Sequence, residues 1–185
     1  LKGGLISYDH GWFIVSLFLY SMLYLLIEKI TNKIHMDITA SKIIVFLIIM
    51  IILTHLIRLI WPIDTWVDIL GFIGIEPAHL PQYLMWFSGG ILAYRNKWLD
   101  NIKPSWGRIS IGVGSICIAL LYIKDLFQSP LEKIIYGIFP IYEGIMSVTI
   151  IIGLLYLFKK YVNKPNVVMD LLSKNAFAAY VVHNF

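Results

Sequence analysis

Long uninterrupted apolar runs, separated by short polar stretches, make up most of this chain. A helix that crosses the hydrocarbon core of a bilayer needs about 20 mostly apolar residues, with a usable range of about 17–25. Backbone groups in lipid must be bonded internally, so only helices or closed barrels can span it. The runs here are continuous rather than alternating, which predicts helices. A first span is predicted from Gly11 to Ile27 and a second from Ile43 to Ile63, closing beside Trp61-Pro62. A third, shorter run goes from Leu80 to Tyr94; it either extends through Arg95 to Trp98 by snorkelling or is re-entrant. A fourth runs from Gly107 to Ile123, a fifth from Ile138 to Phe158, and a sixth begins near Asn175 and is unfinished at Phe185. The expected fold is all-α: a polytopic transmembrane helix bundle, one domain over 1–185, with five complete spans and the start of a sixth.

Charge in the connecting loops orients these spans, because Lys and Arg accumulate in short cytoplasmic loops. Lys29, Lys33 and Lys42 follow the first span, and no basic residue follows the second, where Asp64, Asp68 and Glu76 stand instead. Arg95, Lys97, Lys103 and Arg108 follow the third, and Lys133 lies in the loop after the fourth. Lys159, Lys160, Lys164 and Lys174 follow the fifth. The alternation puts loops 28–42, 95–106 and 159–174 in the cytoplasm and loops 64–79 and 128–137 outside. Trp61, Trp66, Trp86, Trp98 and Trp106 fall near span ends, where an aromatic belt would place them.

Composition agrees with this picture. Apolar residues make up 59% of the chain and charged residues 14%, against about a quarter charged in soluble domains; the mean hydropathy is +0.79. In water such a chain would expose large apolar patches, so the expected partner is a lipid bilayer. The net charge of +4 does not imply nucleic acid, since the basic residues form short clusters between apolar runs and no basic helix face. Cys117 stands alone in an apolar run, which excludes a disulfide framework. The chain starts at Leu1 and stops inside an apolar helix, so it is expected to be part of a longer protein. Small residues at helical spacing, Gly89 with Ala93 and Ser115 with Ala119, are expected to mark packing faces.

No glycine-rich phosphate loop, paired-cysteine metal site or soluble hydrolase motif is present, and no metal is expected. The informative residues are polar groups within or beside the spans, which are functional candidates at membrane depth. Arg58 sits fifteen residues into the second span, about 22 Å along it at 1.5 Å per residue. His55 lies one turn back on the same face. The pair forms either an outward-facing site for an anion or hydroxyl, or a snorkelling arginine with a hydrogen-bonded histidine. Glu143 opens the fifth span after Pro140, as a substrate-binding group or as a helix-start carboxylate favoured by the dipole. Tyr180 and His183 share a face of the sixth span at i, i+3. His10, His55, His79 and His183 all fall toward the outer side, and only His35 is cytoplasmic. Neutral imidazole is the usual base for a hydroxyl nucleophile, which makes His183 and His10 the candidate bases. His55, Arg58, Glu143 and Tyr180 are the candidate substrate-binding groups.

Three segments together carry a resemblance. They are Tyr8-Asp9-His10-Gly11-Trp12-Phe13-Ile14, Leu80-Pro81-Gln82-Tyr83 through Phe87-Ser88-Gly89-Gly90-Ile91-Leu92-Ala93-Tyr94-Arg95, and Leu172-Ser173 through Phe177, Tyr180 and His183. In that order they resemble the C-terminal part of acyltransferase family 3, multi-span bacterial membrane O-acyltransferases. The first departs from the family's usual Gly-Pro-Leu-Trp by having His10 and Gly11 before Trp12. The resemblance implies transfer of an acyl group, often acetyl, from cytoplasmic acyl-CoA to a hydroxyl of a glycan, glycolipid or other exported acceptor. It implies a bacterial plasma (inner) membrane location and no bound cofactor, with acyl-CoA as donor substrate. The family's catalytic arginine and histidine lie in N-terminal spans, and nothing here matches those positions, so the resemblance implies that this stretch by itself is inactive. Two other readings stand beside it: a transporter or flippase of a glycan or lipid-linked substrate, and a membrane sensor or anchor. Transporters tend to pair broken helices in two related halves, and the Gly89-Gly90 break has no clear partner.

Overall fold

The computed structural model describes residues 12–31, 34–69, 73–126, 132–162 and 166–182. Each apolar run folds as a helix: α1 Trp12–Thr31, α2 Ala40–Ile60, α3 Leu80–Arg95, α5 Pro104–Leu126, α6 Glu132–Leu157 and α7 Val167–Val182. A short α4, Trp98–Asn101, follows α3, and α6 continues into a π-helical turn, Phe158–Val162. The result is an all-α bundle. Among the described residues, three helical stretches are long and apolar enough to cross a membrane: Ala40–Ile60, Pro104–Tyr122 and Gly137–Val162. α1 contributes a shorter apolar stretch, Ser16–Leu26. Ile44, Ile48, Ile52 and Leu59 of α2 are exposed, as lipid-facing side chains would be.

Local chemistry explains the helix ends. Thr39 caps α2, its side-chain oxygen accepting the Lys42 N–H at 3.3 Å. The helix stops at Trp61, which is extended because Pro62 follows. Pro104 starts α5, where its missing N–H costs nothing. α6 differs from expectation. It begins at Glu132 and runs through Pro140, since lipid-exposed helices tolerate an internal proline when neighbours support the freed carbonyl. Glu143 therefore lies eleven residues into α6, not at its start (143 against 132). The helix-dipole explanation for that carboxylate falls away.

The segment expected as an outer loop also holds a small antiparallel pair, β1 Val67–Ile69 and β2 Ile73–Ile75, in the register Val67↔Ile75. A 3₁₀ turn, Pro77–His79, leads from it into α3. α1 reaches the hairpin at β2, and α2 touches the 3₁₀ turn.

α5 and α6 form the most extensive helix pair, and α2 packs on both α6 and α3. The face of α5 turned to α6 carries Gly107, Ser110, Gly114 and Cys117, all buried. Ser115 and Ala119 are exposed instead, so the expected small-residue pair on this helix is not its packing face. A Cβ on Gly107 would overlap the Tyr156 ring, and one on Gly144 would lie 2.8 Å from Ile51 Cγ1. Both glycines let helices come closer than any side chain would allow. Gly89 does pack as expected, its Cβ direction meeting Phe46 at 3.4 Å.

At the opposite end from the hairpin, the three basic loops meet. The Met36 N–H donates to Asn96 Oδ1 at 3.0 Å, and Trp98 Nε1 donates to the Met36 carbonyl at 2.6 Å. Lys159 Nζ donates to the carbonyls of Leu99 and Asp100 at 2.9 and 2.8 Å.

Candidate functional site

At the hairpin end, the last turn of α2 carries a cation that the neighbouring elements enclose. Arg58 does not snorkel outward; only 7% of its side chain is exposed. Its Nη2 lies 2.8 Å from Glu143 Oε2 on α6 and 3.1 Å from His79 Nδ1 at the foot of α3. Its Nε donates to the carbonyl of Ala78 at 3.3 Å, and its guanidinium carbon is 6.0 Å from the Phe139 ring centroid. The 3₁₀ turn makes this possible. Pro77 stands in its first turn and Ala78 is fully buried, which delivers a backbone carbonyl and an imidazole to the same guanidinium.

His79 is in turn flanked by two carboxylates, with Nε2 3.7 Å from Glu76 Oε1 and Nδ1 3.7 Å from Glu143 Oε1. Guanidinium can only donate. The Arg58–His79 contact is a hydrogen bond in the tautomer that leaves Nδ1 without a proton, which assigns the ring proton to Nε2 on the Glu76 side. Glu76 Oε1 also accepts the Asp64 N–H at 2.7 Å, so the turn between α2 and β1 holds that carboxylate in place. The cluster thus brings one guanidinium, two carboxyl groups and one imidazole together.

Buried polar atoms without partners continue this cluster inward. Among the described residues, Thr54 Oγ1, Arg58 Nη1 and Gln82 Nε2 are buried and make no hydrogen bond. Thr54 lies one turn below Arg58 on the same face of α2, and Gln82 lies on α3, which packs against α2. Buried donors almost always have partners, so each of these three atoms has capacity for a further hydrogen bond. No group of three or more His, Cys, Asp or Glu side chains among the described residues is arranged to hold a metal ion. Beside Glu76 lies a cavity of about 120 Å³ between α1, the hairpin and α3.

A family model described as an acyltransferase domain matches residues 3–185. The chain belongs to acyltransferase family 3. No curated protein and no solved structure matches it. Family membership together with the apolar helices makes this acyltransferase family 3 chain a membrane protein of acyltransferase type.

Within this family 3 chain, two of the sequence candidates, Arg58 and Glu143, come together directly. His55 does not join them. It is exposed, while Thr54 and Arg58 turn inward, so the histidine that partners Arg58 is His79 and not the neighbour on its own helix. Tyr180 lies in α7, but its side chain is outside the described residues, as are His10 and His183 entirely. Sequence reasoning passed over Glu76, Thr54 and Gln82 and treated His79 only as one histidine among several. One signal was available: Glu76-Pro77-Ala78-His79 places a carboxylate and an imidazole three residues apart at the entry to a helix.

Proposed function

We propose that this acyltransferase family 3 chain serves an enzyme that moves an acyl group, acetyl in the simplest case, from acyl-CoA to a hydroxyl of a glycan or other exported acceptor. The acceptor oxygen attacks the thioester carbonyl, the new C–O bond forms as C–S breaks, and coenzyme A leaves as its thiol. A base takes the hydroxyl proton. The observation that carries this reading is the buried Arg58–Glu143 pair gripping His79, a polar centre at the end of an apolar bundle. Ionisable groups enclosed at that depth mark substrate sites.

The basic loops that meet at the other end favour a cytoplasmic donor side there, in the plasma membrane of a bacterium. The hairpin end is then the acceptor side. Thr54, Arg58 and Gln82 supply donors to an acyl or acceptor oxygen, and Glu143 holds Arg58 in register. With Nδ1 engaged by Arg58, His79 acts as a positioning group, and proton removal falls to a histidine such as His10 or His183.

Membranes containing the full-length protein, supplied with acetyl-labelled acetyl-CoA and a glycan acceptor, test this directly. The expected result is release of free coenzyme A thiol with label in the acceptor. Arg58→Ala and Glu143→Gln should lower both by tenfold or more while still inserting in the membrane. An intact thioester, with acceptor carried across the membrane, would overturn the reading in favour of transport.

A further inference from the structure

We infer that the cavity beside Glu76 is the seat of the acceptor's sugar ring, and that it selects a neutral ring over an anionic one. This rests on the acyltransferase reading above and gives its acceptor a place and a charge. The cavity, about 120 Å³, is lined by Ser16, Tyr20, Trp66, Ile75, Glu76 and Tyr83. A pyranose has two apolar C–H faces and a hydroxylated edge. Its natural receptor is aromatic walls with a carboxylate and hydroxyls at the rim, and that is the composition of this lining. Pockets for drug-sized ligands measure about 300–1,000 Å³, so this smaller space suits a single ring rather than a length of oligosaccharide.

The walls are held before any ligand arrives. Tyr20 packs on Phe87 of α3 with ring centroids 5.6 Å apart, and Tyr83 lies 6.0 Å from the His79 ring. Glu76 is fixed by the Asp64 N–H. A ring seated here therefore meets a preformed site and loses little freedom of the protein on binding. A hydroxyl bonded to Glu76 stands at the edge of the Arg58–His79–Glu143 centre, because His79 Nε2 is 3.7 Å from the same carboxylate oxygen. The cavity and the polar centre are thus two halves of one site, one for the ring and one for its reacting hydroxyl.

The charge preference follows from the lining. Among the described residues its lining contains one carboxylate and no Lys or Arg, and the nearby Arg58 already has Glu143 as counter-charge at Nη2. A uronate or a phosphorylated sugar would bring a second negative charge to Glu76 in a partly desolvated space, where like charges repel strongly.

The test is binding to the purified protein in lipid nanodiscs, with methyl glycosides of glucose, galactose, mannose and N-acetylglucosamine as neutral probes. Methyl glucuronate and methyl galacturonate are the anionic probes. At least one neutral glycoside should bind saturably, and both uronates at least tenfold more weakly than it. Trp66→Ala should weaken the neutral ligand fivefold or more, whereas Trp66→Phe should retain most of the affinity. Glu76→Gln should tighten uronate binding severalfold, a gain that misfolding does not produce. Absence of neutral-glycoside binding, an unchanged affinity in Trp66→Ala, or uronate preferred by the unaltered protein would each overturn the inference. Coenzyme A thiol release is read separately, so ring binding without thiol release would reject the acyl-transfer reading and leave the sugar site standing.

Discussion

Arg58 and Glu143 meet at 2.8 Å across the α2–α6 interface, with 7% and 18% of their side chains exposed. The pair joins the helix that carries the cation to the one that carries its counter-charge, and the 3₁₀ turn closes over both through Ala78 and His79. Separating two charges in such a place is far costlier than replacing both.

Arg58→Ala, which strands the Glu143 carboxylate, should therefore destabilise the bundle by about 3–5 kcal/mol. The double variant Arg58→Met with Glu143→Leu should recover most of that loss, yet have no acyl transfer. Thermal unfolding in detergent, read beside thiol release from acetyl-CoA, separates the structural part of the pair from its chemistry.

The α5–α6 interface gives a contrast between two glycines of one helix. A Cβ at Gly107 would overlap the Tyr156 ring, whereas one at Gly112 meets nothing within 4 Å. Gly107→Ala should cost about 1–3 kcal/mol through overpacking. Gly112→Ala should be neutral or stabilising by up to about 1 kcal/mol, since alanine is the better helix former. Tyr156→Ala placed on Gly107→Ala should return part of the melting temperature, because it removes the overlapping ring.

At the basic end, Asn96 and Trp98 hold both backbone groups of Met36. Asn96→Ala leaves the Met36 N–H without its acceptor, a loss of about 0.5–1.5 kcal/mol. Amide hydrogen exchange at Met36 should accelerate by up to about tenfold while exchange in α5 stays unchanged.

Orientation is open to chemical labelling in cells. On a Cys117→Ser background, Trp61→Cys at the hairpin end should react with a membrane-impermeant maleimide added outside. Lys103→Cys, at the basic end, should react only after the cells are permeabilised. The reverse pattern would place the polar centre on the cytoplasmic side and move the acceptor site with it.

The helices were legible because lipid makes a single demand, a long and mostly apolar run, and the stretches from Ile43 to Leu53 and from Gly144 to Phe158 meet it without a charged side chain. Loop charge predicted that the basic loops share one end, and the bonds from Asn96, Trp98 and Lys159 bring them together there. Arg58 and Glu143 stood out singly, as charges where few are tolerated. Their pairing did not, since they are eighty-five positions apart (143 against 58) and no local spacing links them. Same-helix periodicity pointed to His55, but a side chain reaches whatever the neighbouring elements bring to it. The turn at Pro77–His79 brings His79, together with the carbonyl of Ala78. Likewise the small-residue rule favoured Ser115 and Ala119, while the approach of α6 selected Gly107 and Gly114. The sequence alone thus determined that the chain folds as apolar helices suited to a membrane, of which three among the described residues are long enough to cross one. Which polar groups meet was decided only by tertiary packing, because contact between distant charges depends on how helices sit against one another and not on their own pattern.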